Sequence, residues 1–137
     1  MSNDVIIATH RHDKFDEFLE LHDFVVEKVG EFIYKITREE ELPVFINIDG
    51  NNMFFEVDLG NVSAFADKDF CFKLLDLNTK ILPVSFGIDS TNPDDIRLVL
   101  VESRVTGNLN DEELLSVFDS LELAVDRAEE LLAEYIG

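Results

Sequence analysis

Residues 110–137 read NDEELLSVFDSLELAVDRAEELLAEYIG. Leu114, Phe118, Leu121, Val125, Ala128, Leu132 and Tyr135 recur there at alternating spacings of four and three. That is the period of one continuous helical face. Val117, Ala124 and Leu131 widen the stripe, while Glu112, Glu113, Asp119, Glu122, Asp126, Glu129, Glu130 and Glu134 fill the other side, with Arg127 as the only base. Asn110, with Glu113 three residues on, resembles a capping box, and Asp111 and Glu112 suit the positive end of the helix dipole. The stretch predicts a long acidic amphipathic helix that needs a surface to lie on. Two readings stay open for its stripe. It covers the sheet of its own subunit, or part of it, Phe118, Val125 and Leu132 included, also meets a second subunit or a client, since Leu115 and Leu123 lie outside the main seam.

Upstream the period changes from helical to alternating. Asp13 can cap a short helix in which Phe15, Phe18 and Leu19 share a face and His22 closes the end. Phe24 to Val29 is β-rich. Phe32, Tyr34 and Ile36 then alternate with Ile33, Lys35 and Thr37, as a half-buried strand does. After the charged turn Glu39-Glu40-Glu41, Val44, Ile46 and Ile48 face one way and Phe45 and Asn47 the other. Asp49-Gly50 is a hairpin signal, because both residues tolerate positive φ. The returning strand puts Met53, Phe55, Val57 and Leu59 on one face and Phe54, Glu56 and Asp58 on the other, and Gly60 ends it. Asp67 caps a helix with Phe70, Leu74, Leu77 and Ile81 at helical spacing and Pro83 at its exit. Val84 to Ile88 is a short strand and Asp89 to Asp95 a polar turn. Ile96 to Val105 is the most β-like segment, and Leu98-Val99-Leu100-Val101 suits a strand covered on both sides. The element order is helix, three or four strands, helix, two strands, helix. Residues 1–12 read as a loose tail and 13–137 as one α+β domain.

A chain of 137 residues has the size of one domain and buries roughly 68% of its unfolded surface. Hydrophobic residues make up 46%, which opposes intrinsic disorder. Twelve aromatics are Phe, two are Tyr and none is Trp, so most rings suit a core or a protein-facing groove. A formal charge of −19 repels phosphate backbones and anionic headgroups, which argues against nucleic acid and membrane surfaces as partners. The one cysteine, Cys71, excludes an internal disulfide and fits a reducing compartment. Among Phe70, Phe72 and Leu74 it reads as a buried structural thiol. Val5-Ile6-Ile7-Ala8 is too short for a signal-peptide core, so the cytoplasm is the expected location.

No residue cluster names a reaction. His10 and His12 form a two-ligand pair without a third ligand nearby. Asn47, Asp49, Gly50 and Glu56 fall at calcium-loop positions 3, 5, 6 and 12, but Phe45 stands at position 1 and the alternation says hairpin. Asp89-Ser90-Thr91-Asn92-Pro93-Asp94-Asp95 is oxygen-rich, as solvated turns are. The glycines fit no phosphate-loop spacing, and no carboxylate pair sits in an apolar setting. The expectation is therefore no catalytic residue, no cofactor and no metal.

The stretch from Leu74-Leu75-Asp76-Leu77-Asn78 to Phe86-Gly87-Ile88-Asp89 resembles the helix-to-strand passage of type III secretion chaperones and the related YbjN-type proteins. Arg97 to Val101, followed by Asn108-Leu109-Asn110-Asp111-Glu112-Glu113-Leu114-Leu115, resembles their last strand and final helix. Leu42-Pro43-Val44-Phe45-Ile46 and Leu82-Pro83-Val84-Ser85-Phe86 are similar to the YjfI-type bacterial family, although Glu102-Ser103-Arg104-Val105-Thr106-Gly107 departs from its small-residue stretch. The likeness covers roughly residues 42–135. It implies an antiparallel sheet with helices packed on one side, in a dimer that binds extended partner segments along exposed apolar strips.

The expectation that follows is a non-enzymatic protein-binding module, chaperone- or adaptor-like and homodimeric. Its contact residues would come from Phe45, Phe54, Val99 and Val101 on the sheet and Phe118, Val125 and Leu132 on the last helix. The alternative is a small regulatory or sensory domain that binds a ligand or cation in a Phe-lined cleft.

Overall fold

The computed structural model describes residues 15–136. Asp13 and the His10–His12 pair lie outside them. The element order is α1 (Phe15–Leu21), β1 (Val25–Lys28), β2 (Ile33–Thr37), β3 (Val44–Asp49), β4 (Asn52–Asn61), α2 (Lys68–Asn78), β5 (Ser85–Asp89), β6 (Arg97–Val105) and α3 (Asp111–Ile136). Six antiparallel strands form one open sheet in the order β1-β2-β3-β4-β6-β5. The first segment thus holds four strands before α2, the larger of the two numbers expected.

Alternation in the sequence becomes two unlike faces. Val44, Ile46, Ile48, Met53, Phe55, Val57, Leu98 and Leu100 point to the helix side and are buried. Phe118 of α3 packs there with its ring centroid 4.7 Å from Phe24 and 6.0 Å from Phe55. Phe15 of α1 meets Tyr34 edge-on at 5.0 Å. The α3 seam of Leu114, Phe118, Leu121, Val125 and Ala128 is buried, with Val117, Ala124 and Leu131 beside it. Each fully buried side chain of this kind contributes on the order of 1.5–3 kcal/mol.

Polar groups set the ends of the helices. Asn110 Oδ1 accepts from the Glu113 amide at 2.8 Å, and Glu113 Oε1 accepts from the Asn110 amide at 3.3 Å, which closes the capping box. Asp67 Oδ1 accepts from the Phe70 amide at 2.9 Å at the start of α2. The His22 ring nitrogen Nδ1 lies 3.0 Å from the Phe18 carbonyl at the end of α1. Arg38 lies over the Phe24 ring at 4.5 Å and ion-pairs with Glu122 and Asp119, joining the end of β2 to α3. Tyr135 donates to Asp69 at 2.7 Å and ties α3 to α2.

Four local expectations change. The turn of the β3–β4 hairpin is Gly50-Asn51, because Asp49 still pairs with Asn52, and Gly50 supplies the positive φ of +61°. Gly60 does not end β4. Its φ of +115° makes a bulge at the register shift after Asp58, and pairing continues to Asn61. Helix α2 stops at Asn78, whose side chain accepts from the Phe86 amide at 2.7 Å, so Ile81 is buried from the loop rather than from the helix. β6 is covered on one side: Leu98 and Leu100 are under the helices, whereas Val99 and Val101 belong to the opposite face, on which no helix packs among the described residues.

Truncating Phe118 to Ala should cost about 3–5 kcal/mol of stability in urea unfolding. Truncating the outward-facing Phe54 to Ala should change it by about 0.5 kcal/mol or less. Equal losses at the two sites would contradict the face assignment.

Candidate functional site: the open face of the sheet

Register places the outward side chains in rows across the sheet. Ile33, Asn47, Phe54 and Ser103 form one row. Lys35, Phe45, Glu56, Val101 and Ser85 form the next, and Asp58, Val99 and Gly87 a third. Ile33, Phe45 and Phe54 remain 41%, 37% and 43% exposed, large values for aromatic and branched side chains gathered on one surface. A shallow groove of about 730 Å³ runs over them between Ile33 and Pro83. It is bounded by Val101 and Ser85 toward the β5 side.

The structure thus brings Phe45, Phe54, Val99 and Val101 onto one face. Val99 is the least accessible of them at 7%, and a side chain at Gly87 would press on its Cγ2. Phe118 and Val125 are not on any free surface. They are buried against the subunit's own sheet, and Leu132 is partly buried on the same core, because the helical stripe faces inward along its whole length. Nor do the phenylalanines line an enclosed cleft: Phe15, Phe24, Phe55, Phe70, Phe86 and Phe118 fill the core.

A second apolar surface lies at the β5 edge. Phe72 and Leu75 on the outer side of α2 are 72% and 68% exposed, and Ile88 of the edge strand is exposed nearby. Cys71, Leu75 and Ile88 share a groove of about 200 Å³ there. Cys71 is therefore half-buried at a groove wall instead of sealed in the core. Phe72 and Leu75 were legible as residues off the Phe70–Leu74–Leu77 seam, three apart on the outer face of the same helix.

The charged groups of the open face are unequally paired. Arg97 holds Asp58 at 3.2 Å and Asp95 at 3.1 Å, so an arginine occupies the oxygen-rich corner. Asp89 accepts from the Thr91 amide at 3.0 Å and its hydroxyl at 2.7 Å, which holds the Asp89 carboxyl below the usual range. Glu56 goes the other way. Partial loss of water, then repulsion from Asp89 and Asp58, pushes its carboxyl above the ordinary value. Among the described residues, no group of His, Cys, Asp and Glu side chains is arranged to hold a metal ion, and no helix is long and apolar enough to cross a membrane.

Residues 8–136 match the family model CesT_Tir_1. The chain belongs to that family, within the secretion-chaperone-like superfamily. Its fold is similar to a chain of the heterodimeric ExoU–SpcU complex from the type III secretion system of Pseudomonas aeruginosa, with TM-score 0.68, 20% identity, and coverage of 85% of this chain and 95% of that one. It is also similar to YbjN of E. coli, with TM-score 0.68 and 13% identity over 87% of this chain and 91% of that one. The Yersinia pestis type III secretion chaperone SycH, in complex with a stable fragment of YscM2, matches with TM-score 0.54 and 19% identity over 87% and 94% of the two chains. No curated protein matches the sequence. At such identities the solved structures speak for the fold, and family membership supports a chaperone-type, protein-binding role.

The raised Glu56 carboxyl has a signed consequence. A folded-state value above the unfolded one stabilises the fold at low pH, and that contribution is lost as pH rises through the folded value. Glu56→Gln should therefore unfold at an equal or higher denaturant concentration than the parent at pH 7. The gap should close once the pH falls below the unfolded carboxyl's range. A variant less stable at pH 7 and equal at pH 3 would contradict the assignment.

Proposed function

We propose that this protein is a non-enzymatic, chaperone- or adaptor-like module of a bacterial cytoplasm that holds a segment of a client protein on the open face of its sheet. The observation that carries this reading is the pairing of an apolar surface, exposed at Ile33, Phe45 and Phe54 and continued by the half-buried Val101, with a core that needs none of it. Soluble proteins cover such surfaces with a partner, and membership of the CesT_Tir_1 family favours a protein as that partner. The net charge of −19 favours clients of opposite sign and disfavours nucleic acid and anionic membranes.

The reading includes a homodimer, formed at the β5 edge. β5 ends the sheet with one side unpaired, and Phe72, Leu75 and Ile88 stand beside it. An isologous contact would let two edges meet while the apolar helix faces cover each other. Phe118, Val125 and Leu132 take no part in this contact, since they stabilise the subunit itself.

Two measurements test these halves separately. Phe54→Asp, still folded by circular dichroism, should lose a stoichiometric client in affinity capture from the protein's own cells; retention of the client at the parental level would contradict the groove. Light scattering should give twice the 15.6 kDa chain mass for the parent and the single mass for Leu75→Asp. A parental monomer at micromolar concentration would remove the dimer from the account.

A further inference from the structure

The apolar groove has a carboxylate at its centre. Glu56 is paired in register with Phe45 on one side and with Val101 on the other, and it follows Phe54 by two residues on β4. Side chains so related share a face and lie about 4.5–5.5 Å apart across strands, so Glu56 stands among all three apolar groups. Glu56 is itself exposed in the free subunit, but a partner filling the groove would strip water from it, and a carboxylate that loses water without a counter-charge is costly.

Among the described residues no partner stands beside it. The charged groups on the same face of the sheet are Glu27 on β1, Lys35 on β2, Asp49 on β3, Asp58 on β4, Asp89 on β5 and Arg97 on β6. Arg97 is taken up by Asp58 and Asp95. Lys35 lies beyond Phe45, one strand further out. Among the described residues no hydrogen bond or ion pair reaches the Glu56 carboxylate. A second copy of the same face is a poor occupant, since it would set Glu56, Asp58 and Asp89 against their own like. An anionic ligand fails for the same reason. What complements the surface is an apolar protein segment that brings one positive charge.

Resting on the reading of this face as the client groove, we propose that Glu56 selects the client: the groove takes an extended apolar segment containing one arginine or lysine, whose charged head meets the Glu56 carboxylate while its apolar neighbours lie on Phe45, Phe54 and Val101. Docking removes water from the carboxylate and so strengthens the pair. Arginine fits best, because its planar fork can donate to both carboxylate oxygens. The raised protonation of Glu56 in the free protein is consistent with a site that awaits a cation, and the preference for basic segments should fade on acidification.

The test is peptide selection. A random phage-displayed peptide library is panned against the parent, Glu56→Gln, Phe54→Asp and, as a remote control that also loses one acid, Glu129→Gln, each checked for folding by circular dichroism. The parent and Glu129→Gln should enrich peptides with one Arg or Lys flanked by apolar residues. Glu56→Gln should keep the apolar pattern and lose the base, and a synthetic Arg-containing winner should bind it at least about tenfold more weakly than it binds the parent. Phe54→Asp should enrich none of these sequences. Equal basic content in the parent and Glu56→Gln selections, with Phe54→Asp still blocking capture, would overturn the role of Glu56 and leave the groove standing. Peptides unaffected by Phe54→Asp, or no enrichment on the parent, would overturn the groove and the role of Glu56 with it.

Discussion

Burial of the α3 seam on the inner face of the sheet is the contact on which the rest depends. Phe118 sits between Phe24 and Phe55, and Leu114, Leu121, Val125 and Ala128 continue the line on either side. One 26-residue helix thereby covers the inner face of strands that are far apart in sequence. Most of its apolar stripe is taken up by this contact, with Leu132 and Tyr135 partly buried at its end. On the proposed reading, the binding surface is the other side of the sheet, or its edge.

The open face follows from the same constraint. Antiparallel strands carry alternate residues to opposite sides, so a sheet covered by helices on one side presents the remaining residues to solvent. Here those residues are not uniformly polar. Ile33, Phe45, Phe54 and Val101 form an apolar field, and Asp58 and Asp89 are held at its margin by Arg97 and Thr91. Such a division, with a rigid packed side and an adhesive side, allows a small domain to hold a partner segment without loosening its own core.

Much of this architecture was legible in the sequence because its signals are local or periodic. The four–three spacing of α3, the alternation of Val44 to Ile48 and Met53 to Val57, the Asn110–Glu113 box and the Asp67 cap each specify one element without help from elsewhere. The outward placement of Phe45 and Phe54 followed from parity alone. What parity could not supply was the depth of each face. Leu98 to Val101 looks evenly apolar, yet the helices lie on one side only, and that depends on where α1, α2 and α3 pack. The same limit applies to the length of α2, since Asn78 ends it through a bond to Phe86, and to Gly60, whose role as a bulge depends on its neighbour strand. The lack of a partner for Glu56 among the described residues was equally hidden, because Arg97 engages Asp58 and Asp95 rather than Glu56.

Site-specific photo-crosslinking in living cells tests the central claim most directly. A benzophenone amino acid would replace Phe54 on the open face, and, as a control, Leu123 on the outward side of α3. The account predicts a discrete adduct with another protein from position 54 and none from position 123. Adducts from position 123 with position 54 silent would contradict it, because the client would then lie on the helix side of the subunit and not on the bare face of the sheet.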